Sequence, residues 1–245
     1  MSAWREVWAL LREHPRERLK LLLGWIFHRR STAAWLAYLR VRPVLWRQVA
    51  VFPKLVTRIY RPYGLRGLRC EQRVQLMTGH YDSLERLGYW QLVEVSADRP
   101  CEVLTLPTKC GTHALLQLVS VHDGHREGEM HLQMFWDGRW LYSLSFLLQP
   151  FGQRTDLVVT RLQGTRDALA REHIRAATKG LYGLRPAALL VQAVRQMGNS
   201  LGCDAVLLVS DRQRVALNPM CRLRIKGELE TLWRELGAQT QSNGL

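Results

Sequence analysis

The feature that most constrains this fold is a change in the spacing of the apolar residues. Over residues 101–164, apolar and polar residues alternate with a period of two, in segments separated by polar turns. Such alternation is typical of β-strands with one buried face. The predicted strands are CEVLTL, HALLQLVSV, EMHLQMFW, RWLYSLSFLL and DLVVTRLQG. The dipeptide Asp137-Gly138 between two of them is a strong hairpin signal, so we expect an antiparallel meander rather than a βαβ nucleotide-binding array.

On both sides of this region the spacing is helical. Residues 1–75 are predicted to form short helices interrupted by four prolines, and residues 71–88 form a further helix. After the strands, helices are predicted over residues 167–181 and 186–201, the second beginning at a proline. A strand over residues 204–210 and a short helix, GELETLWREL, complete the chain.

These elements predict an α+β fold, in which helices pack on an antiparallel sheet after a basic helical N-terminal region. In the predicted order, antiparallel strands are followed by a strand, a turn and a helix, and then by a further strand. The GNAT acyltransferase core has the same order of elements. The turn QGTRDA departs from the glycine-rich pyrophosphate loop that is usual in that superfamily. We expect a basic, Trp-rich helical region over residues 1–75 and an α+β domain over residues 76–245, within one continuous globular unit.

The net charge of +14 is concentrated in the N-terminal third. Residues 1–75 contain 16 Lys and Arg against 4 Asp and Glu, a balance of +12. Such a block attracts anionic lipid headgroups or nucleic acid. Three interpretations stay open: a solvated basic face without a partner, an anionic membrane surface, or tRNA or another nucleic acid. The tryptophans beside these arginines are interpreted as core anchors in preference to membrane-interface residues.

The apolar run over residues 19–27 has the features of neither a signal peptide nor a membrane span. It contains Lys20 and is followed by His28-Arg29-Arg30, and it is far shorter than the roughly 20 apolar residues of a spanning helix. Five cysteines without a C-x-x-C pair fit a reducing compartment. We expect a cytoplasmic protein without a transmembrane segment, peripheral at the inner membrane if its basic region binds lipid.

The basic stretch over residues 161–198 is the strongest candidate for a binding site. It places two helix N-termini near a sheet edge, at residues 163–166 and 183–185, and unpaired N–H groups at helix N-termini bind phosphates or carboxylates. The alternative is that Arg185 pairs with an acid such as Glu172 or caps a carbonyl. The candidate anion- or cofactor-binding residues are Arg161, Gln163, Gly164, Arg166, Lys179, Arg185 and Ser210.

His80 and Tyr142 are the candidate catalytic residues, near which an acceptor nucleophile would approach. His80 is interpreted either as a general base or substrate contact, or as a core histidine with its hydrogen bonds satisfied. The predicted chemistry is acyl or aminoacyl transfer to a small-molecule or lipid acceptor. Its co-substrate would be acyl-CoA, acyl carrier protein or aminoacyl-tRNA. The alternatives are a non-catalytic peripheral membrane protein that docks on anionic lipid, or a protein that binds tRNA or another nucleic acid. The G-x-S-x-G and P-loop motifs are absent, which argues against classical hydrolases and NTPases.

A metal site is not expected. His122, Asp123 and His125, with His131 nearby, bracket a turn glycine and lack a further ligand at a convincing spacing. A solvated hairpin turn is the favoured interpretation of this segment.

Several separated motifs resemble the VirK/YbjX family of Gram-negative bacteria, from about Trp35 to the end. They are YRPYGLRGLRCEQRVQLMTGHYDSLERLG, FWDGRWLYSLSFLL, LQG, IRAATKGLYGLRPAALLVQAVRQMGNSLGCDAVLLVSD and the closing LWRELG. The positions that match recurrent family motifs are His80, Tyr81, Asp137, Gly138, Tyr142, Gln163, Gly164, Thr178, Lys179, Gly183, Arg185, Pro186 and Ser210.

The resemblance implies a role in virulence and in resistance to cationic antimicrobial peptides through the cell envelope, and it supplies no agreed catalytic residues. Two segments depart from the family pattern. Residues 211–215 read DRQRV where the family has Asn and an Ala-His-Val-Tyr-like segment, and GELETLW replaces an acidic, aromatic DYDAFW. If the family site uses that region, this chain has altered specificity or has lost activity.

Overall fold

The computed structural model describes residues 3–121, 126–215 and 229–239. Its elements confirm the α+β class and the predicted order of helices and strands. The helices are α1 (Ala3–Leu10), α2 (Pro15–Phe27), α3 (Arg29–Arg40), α4 (Pro43–Val51), α5 (Lys54–Thr57), α6 (Cys70–Arg86), α7 (Trp90–Asp98), α8 (Ala170–Gly180), α9 (Pro186–Ser200) and α10 (Leu229–Glu235). The strands are β1 (Cys101–Pro107), β2 (His113–Ser120), β3 (Met130–Trp136), β4 (Arg139–Phe151), β5 (Arg154–Gly164) and β6 (Ala205–Leu208). Short 3-10 helices cover Arg58–Tyr60 and Asp211–Gln213.

The strands form one mixed sheet in the order β1-β2-β3-β4-β5-β6. Neighbours from β1 to β5 are antiparallel, which confirms the predicted meander. β6 pairs in parallel with β5, with Asp156 opposite Ala205 and Val159 opposite Leu208. A parallel neighbour requires a crossover connection, and α8 and α9 provide it.

The turn between β3 and β4 is a two-residue hairpin. Asp137 and Gly138 have φ angles of 48° and 71°, and Trp136 pairs with Arg139. Positive φ at both central positions belongs to the turn whose twist matches that of the flanking strands, and Asp-Gly adopts it readily. The hairpin prediction is therefore confirmed.

Helices cover both faces of the central strands. α6 and α9 both pack on β4, whose residues 143–148 are buried consecutively rather than alternately. β5 is buried in the same way over residues 155–160. Because successive strand residues point to opposite faces, consecutive burial means that each face is covered.

The N-terminal helices share their core with the sheet. One cluster of buried side chains includes Trp35 of α3, Met77 of α6, Leu144 of β4 and Val194 of α9. The expected division at residue 75 falls inside α6 and stays a prediction. A GNAT-like core also stays a prediction.

Candidate functional site

Tyr142 and Arg185, two of the predicted site residues, lie at one cleft of about 310 Å³. Tyr142 begins the pairing of β4 with β5, directly opposite Gly164. A Cβ at Gly164 would lie 3.0 Å from the Tyr142 ring, so the glycine lets that ring lie flat on the strand. Burial raises the pKa of the Tyr142 hydroxyl. The cleft is lined by Tyr142, Leu162, Ile174, Arg185, Pro186, Ala187, Leu229 and Leu232, so its walls are mainly apolar.

Arg185 stands at the start of α9 and forms an ion pair. Its Nη1 donates to Oε2 of Glu235 at 2.8 Å, and 69% of the Arg185 side chain is exposed. Arg185 therefore pairs with an acid, as the alternative interpretation predicted. The acid is Glu235 of α10 rather than Glu172. An exposed pair of this kind can exchange its partner for another anion at little cost.

Arg161 and Gln163 bind each other rather than bordering the cleft. Arg161 donates Nη2 to the Gln163 side chain and Nη1 to Glu127 at 3.0 Å. Leu162, between them on β5, lines the cleft, and alternate strand residues point to opposite faces. Arg161 and Gln163 therefore face away from it.

Arg166, Lys179 and Ser210 are placed elsewhere. Arg166 and Lys179 are exposed, before and near the end of α8. Ser210 follows β6 and lines a different cavity. The structure thus groups Tyr142, Gly164 and Arg185, and the anion-binding role of each predicted residue stays a prediction.

His80 is completely buried in α6. Its Nδ1 accepts the Leu148 backbone N–H at 3.0 Å, which leaves the ring proton on Nε2, an atom without a hydrogen-bond partner among the described residues. Burial lowers the pKa of His80 to about 4, with the charge of Glu129 partly opposing that shift. A neutral, solvent-inaccessible imidazole favours the interpretation as a core histidine, although its second nitrogen is not satisfied.

Next to His80 lies a buried ionic cluster that sequence reasoning missed. Glu129, just before β3, is fully buried, and Arg58 donates Nη1 to its two carboxylate oxygens at 2.8 and 2.9 Å. The hydroxyls of Tyr63 and Tyr81 donate to the same carboxylate. Burial raises the pKa of Glu129, but Arg58 and the two tyrosines outweigh burial and hold the pKa below its usual range.

The cluster joins parts of the chain that are far apart. Arg58 and Glu129 are 71 residues apart, so no local pattern in the sequence could have paired them. Because every partner is buried and the carboxylate accepts from three side chains, the cluster can hold the N-terminal helices on the sheet but offers nothing to a ligand.

The apolar run predicted to be too short for a membrane span forms most of α2, and one side of it faces outward. Five large apolar side chains on this helix are 41–74% exposed: Leu19, Leu22, Leu23, Ile26 and Phe27. Their spacing of i, i+3, i+4, i+7 and i+8 places them in one stripe. These five residues are called the α2 stripe below. A surface helix normally presents polar residues outward, so the stripe requires a partner or another explanation.

The opposite face of α2 is fixed against the body of the protein. It buries Glu17, Leu21 and Gly24. The Glu17 carboxylate accepts from Thr57 and from Lys20, the latter at 2.6 Å. A Cβ at Gly24 would fall 2.0 Å from the Tyr60 ring, so this glycine allows close contact. The outward direction of the stripe is therefore built into the packing.

Cations and tryptophans border the α2 stripe. At about 100° per residue, Arg18 and Lys20 fall on opposite edges of it. Arg18 lies over the Trp8 ring at 4.6 Å. Trp8 stacks on Trp4 at 5.7 Å, and Trp4 contacts Trp25 of α2 at 4.6 Å. These three rings are half-buried, whereas Trp35 is a core anchor as predicted.

In residues 3–121, 126–215 and 229–239, no group of three or more His, Cys, Asp and Glu side chains is arranged to hold a metal ion. His122, Asp123 and His125 lie outside the described residues, and His131 Nδ1 lies 2.9 Å from the Ser145 hydroxyl. In the same ranges, no helix has the length and hydrophobicity needed to cross a bilayer.

The fold and these surfaces define a class of protein: an α+β chain with helices on both faces of its sheet and a basic N-terminal region whose second helix presents apolar residues outward. The chain belongs to the family described as protein of unknown function (DUF535), whose profile matches residues 11–245. It is similar to the uncharacterized protein YbjX of Escherichia coli (strain K12), at 23% identity over 226 residues, 90% of this chain and 68% of that protein. The expected membership of the VirK/YbjX family is confirmed. No solved structure matches the chain.

Proposed function

We propose that this protein is a peripheral membrane protein that docks on an anionic lipid bilayer through α2. The observation that carries the proposal is the α2 stripe, five apolar side chains held outward by the packing of Glu17, Leu21 and Gly24. A helix in this orientation can lie in the plane of the membrane interface with its apolar face among the acyl chains.

The size of the stripe suits reversible docking. Full burial of a Leu, Ile or Phe side chain contributes about 1.5–3 kcal/mol, so burial of the exposed parts of these five contributes roughly 5 kcal/mol. Each Lys or Arg near an anionic surface adds about 1 kcal/mol. Together these terms are large enough for measurable binding and far smaller than those of a spanning helix.

Charge favours an anionic bilayer over the other partners of an apolar face. Residues 12–30 hold six Lys and Arg and two Glu, a net charge of 6 − 2 = +4. A second copy of the chain would bring these cations against each other, which opposes self-association. Nucleic acid would satisfy the cations but would leave Ile26 and Phe27 without an apolar partner.

The resemblance to the VirK/YbjX family supplies a biological setting for this activity. We infer that the protein supports the cell envelope, and with it virulence or antimicrobial-peptide resistance, from the cytoplasmic face of the inner membrane. Docking on anionic lipid would concentrate the protein there without a transmembrane segment.

Vesicle co-sedimentation tests the proposal. The full chain should pellet with vesicles of phosphatidylglycerol and phosphatidylcholine, and much less with phosphatidylcholine alone. The double substitution Ile26→Ser, Phe27→Ser should weaken binding at least tenfold, because the two most exposed members of the stripe are lost.

The matched control is the double substitution Val41→Ser, Val51→Ser. These valines are 70% and 63% exposed but lie outside α2, so their loss should leave vesicle binding unchanged. Equal loss in both double variants would contradict docking through α2. Binding of tRNA that falls steeply with salt, without binding to vesicles, would favour the nucleic-acid alternative.

A second candidate function is acyl or aminoacyl transfer at the cleft of Tyr142 and Arg185. The observation that favours it is the mainly apolar lining, which suits an acyl chain, beside a cation whose present partner is an exposed glutamate. Acyl-CoA, acyl carrier protein or aminoacyl-tRNA should then raise the melting temperature more than CoA does. That rise should disappear in Arg185→Ala, and a chain stabilised by none of these ligands would contradict this function.

A further inference from the structure

A second cavity, of about 530 Å³, lies along β6, the last strand of the sheet. It is formed by α9, β6, the segment after β6 and α10. Its lining includes Val191, Arg195, Ser210, Arg212, Trp233 and Arg234. Pockets for small organic ligands measure roughly 300–1,000 Å³, so the cavity has the size of a ligand site.

Three arginines from three different elements converge on this cavity. Arg195 comes from α9, Arg212 from the segment after β6 and Arg234 from α10. In the described ranges, no carboxylate forms an ion pair with Arg195 or Arg212. The described lining contains one acid, Glu230, and its carboxylate accepts the Asp211 N–H at 3.1 Å. Among the described residues, Arg195 and Arg212 therefore present guanidinium groups without an acidic partner, and Arg234 donates its Nε to the Glu230 backbone carbonyl at 3.4 Å. Guanidinium groups bind phosphates and carboxylates in a bidentate manner.

The wall behind these cations is apolar. Val191, Leu207 and Trp233 are each less than 10% exposed and contribute to the lining. The Trp233 indole N–H donates to the Val209 carbonyl at 3.0 Å, which fixes the ring. A cavity with cations at the rim and aliphatic and aromatic groups behind them suits a ligand with one anionic end and one apolar end.

The cavity is held in shape without a ligand. The Asp211 carboxylate accepts the backbone N–H groups of Leu229 and Glu230 at 3.2 and 3.3 Å, which caps α10. Arg214 donates to the same carboxylate at 2.9 Å. α10 is thereby tied to the segment after β6, so the two sides of the cavity are positioned in advance, which lowers the cost of binding.

We propose that this cavity binds one small amphiphilic anion, with a phosphate or carboxylate head and a compact apolar body. The three arginines surround the head, with the Ser210 hydroxyl as a further donor, and the body lies against Trp233 and Val191. This ligand site is distinct from the docking surface on α2, and it does not depend on that surface.

Calorimetric titration of the full chain with octyl phosphate, below its micelle concentration, tests the site. Octyl phosphate should bind, whereas inorganic phosphate, octanol and octyltrimethylammonium should each bind at least tenfold more weakly, because each lacks the anionic head or the apolar body. Octanoate distinguishes a carboxylate-binding site from a phosphate-binding site. Arg195→Ala and Arg212→Ala should each weaken octyl phosphate binding about tenfold or more.

Arg175→Ala is the matched control, since it removes an exposed arginine of α8 that does not line the cavity. The double substitution Ile26→Ser, Phe27→Ser removes part of the α2 stripe and should leave octyl phosphate binding unchanged. The proposal is overturned if octyl phosphate does not bind, if Arg175→Ala weakens binding as much as Arg195→Ala, or if the α2 double variant abolishes it. Unchanged melting temperatures of the arginine variants exclude misfolding as the cause of a loss.

Discussion

Two regions have an unusual distribution of polarity. The cluster around Glu129, at the centre of the protein, buries charged groups, whereas α2 exposes apolar ones. At the centre, a carboxylate and a guanidinium are fully buried, and every oxygen of Glu129 has a donor. On α2, five apolar side chains are 41–74% exposed to solvent. The buried charges find their partners within the protein, whereas the exposed apolar stripe is the surface through which we propose that the protein docks on a bilayer.

The largest expected effect comes from breaking the central pair. Arg58→Met should lower the free energy of unfolding by about 3–5 kcal/mol, because it leaves a charged carboxylate buried without its cation. Urea unfolding followed by circular dichroism measures this. Adding Glu129→Gln to Arg58→Met should restore part of the loss, since no buried charge then remains. A double variant less stable than Arg58→Met would show that the charge itself is not the cause.

The next effect concerns protonation at the same centre. The pKa of His80 is about 4 in the folded protein and near 6.5 in the unfolded chain. Below pH 6.5 the unfolded chain therefore binds a proton that the folded chain does not, and the stability falls as the pH falls towards 4, by up to about 3 kcal/mol. The pKa of Glu129 is lower in the folded protein than in the unfolded chain. Its contribution to stability is therefore fully present above the pKa of an unfolded carboxyl group, and it is lost as the pH falls below that value.

Urea unfolding at several pH values separates these two groups. His80→Asn keeps an acceptor for the Leu148 N–H. Its free energy of unfolding should change less between pH 6.5 and 5 than that of the wild type. His14→Asn, at an exposed histidine, is the control and should follow the wild type. A wild-type stability that does not change in this window would contradict the burial of a neutral His80.

The two faces of α2 should respond differently to substitution. Gly24→Ala should cost about 1–3 kcal/mol, because the added methyl group meets the Tyr60 ring. Leu23→Ser, one residue away on the exposed stripe, should change stability by no more than about 0.5 kcal/mol but should reduce vesicle binding. A large loss of stability in Leu23→Ser would mean that the stripe is a structural surface.

The smallest expected effect is at the cleft. Arg185→Ala should lower the free energy of unfolding by less than about 1 kcal/mol, because its partner Glu235 is also exposed. Thermal unfolding without ligand measures this. A larger loss would assign Arg185 a role in holding α9 against α10, in addition to any role in binding.

The sequence predicted the elements whose signals are local. The Asp137-Gly138 turn needed only two adjacent residues, and the start of α9 at Pro186 needed only the ring that sets its backbone angle. The meander followed from the period-two spacing. Its one parallel neighbour, β6, depends on how α8 and α9 cross the sheet, which spacing does not encode.

The candidate sites depend on the directions of side chains and on distances across the fold, which sequence patterns do not encode. Arg161 and Gln163 were grouped with Gly164, but strand alternation turns them to the other face of β5. The run over residues 19–27 is apolar on most sides, so periodicity could not show that Gly24 lies inward and Phe27 outward. That direction depends on Tyr60, which is distant in sequence.

The central cluster also limits how this protein can be divided. Arg58 and Tyr63 reach the carboxylate from before residue 75, and Glu129 reaches them from the sheet. A fragment that starts after residue 75 would enclose a negative charge with no counterion, and a fragment that ends there would expose a cation evolved for the interior. Gene fusions, truncations and domain exchanges that separate the two parts should therefore yield insoluble protein, and the two parts are expected to be inherited as one unit.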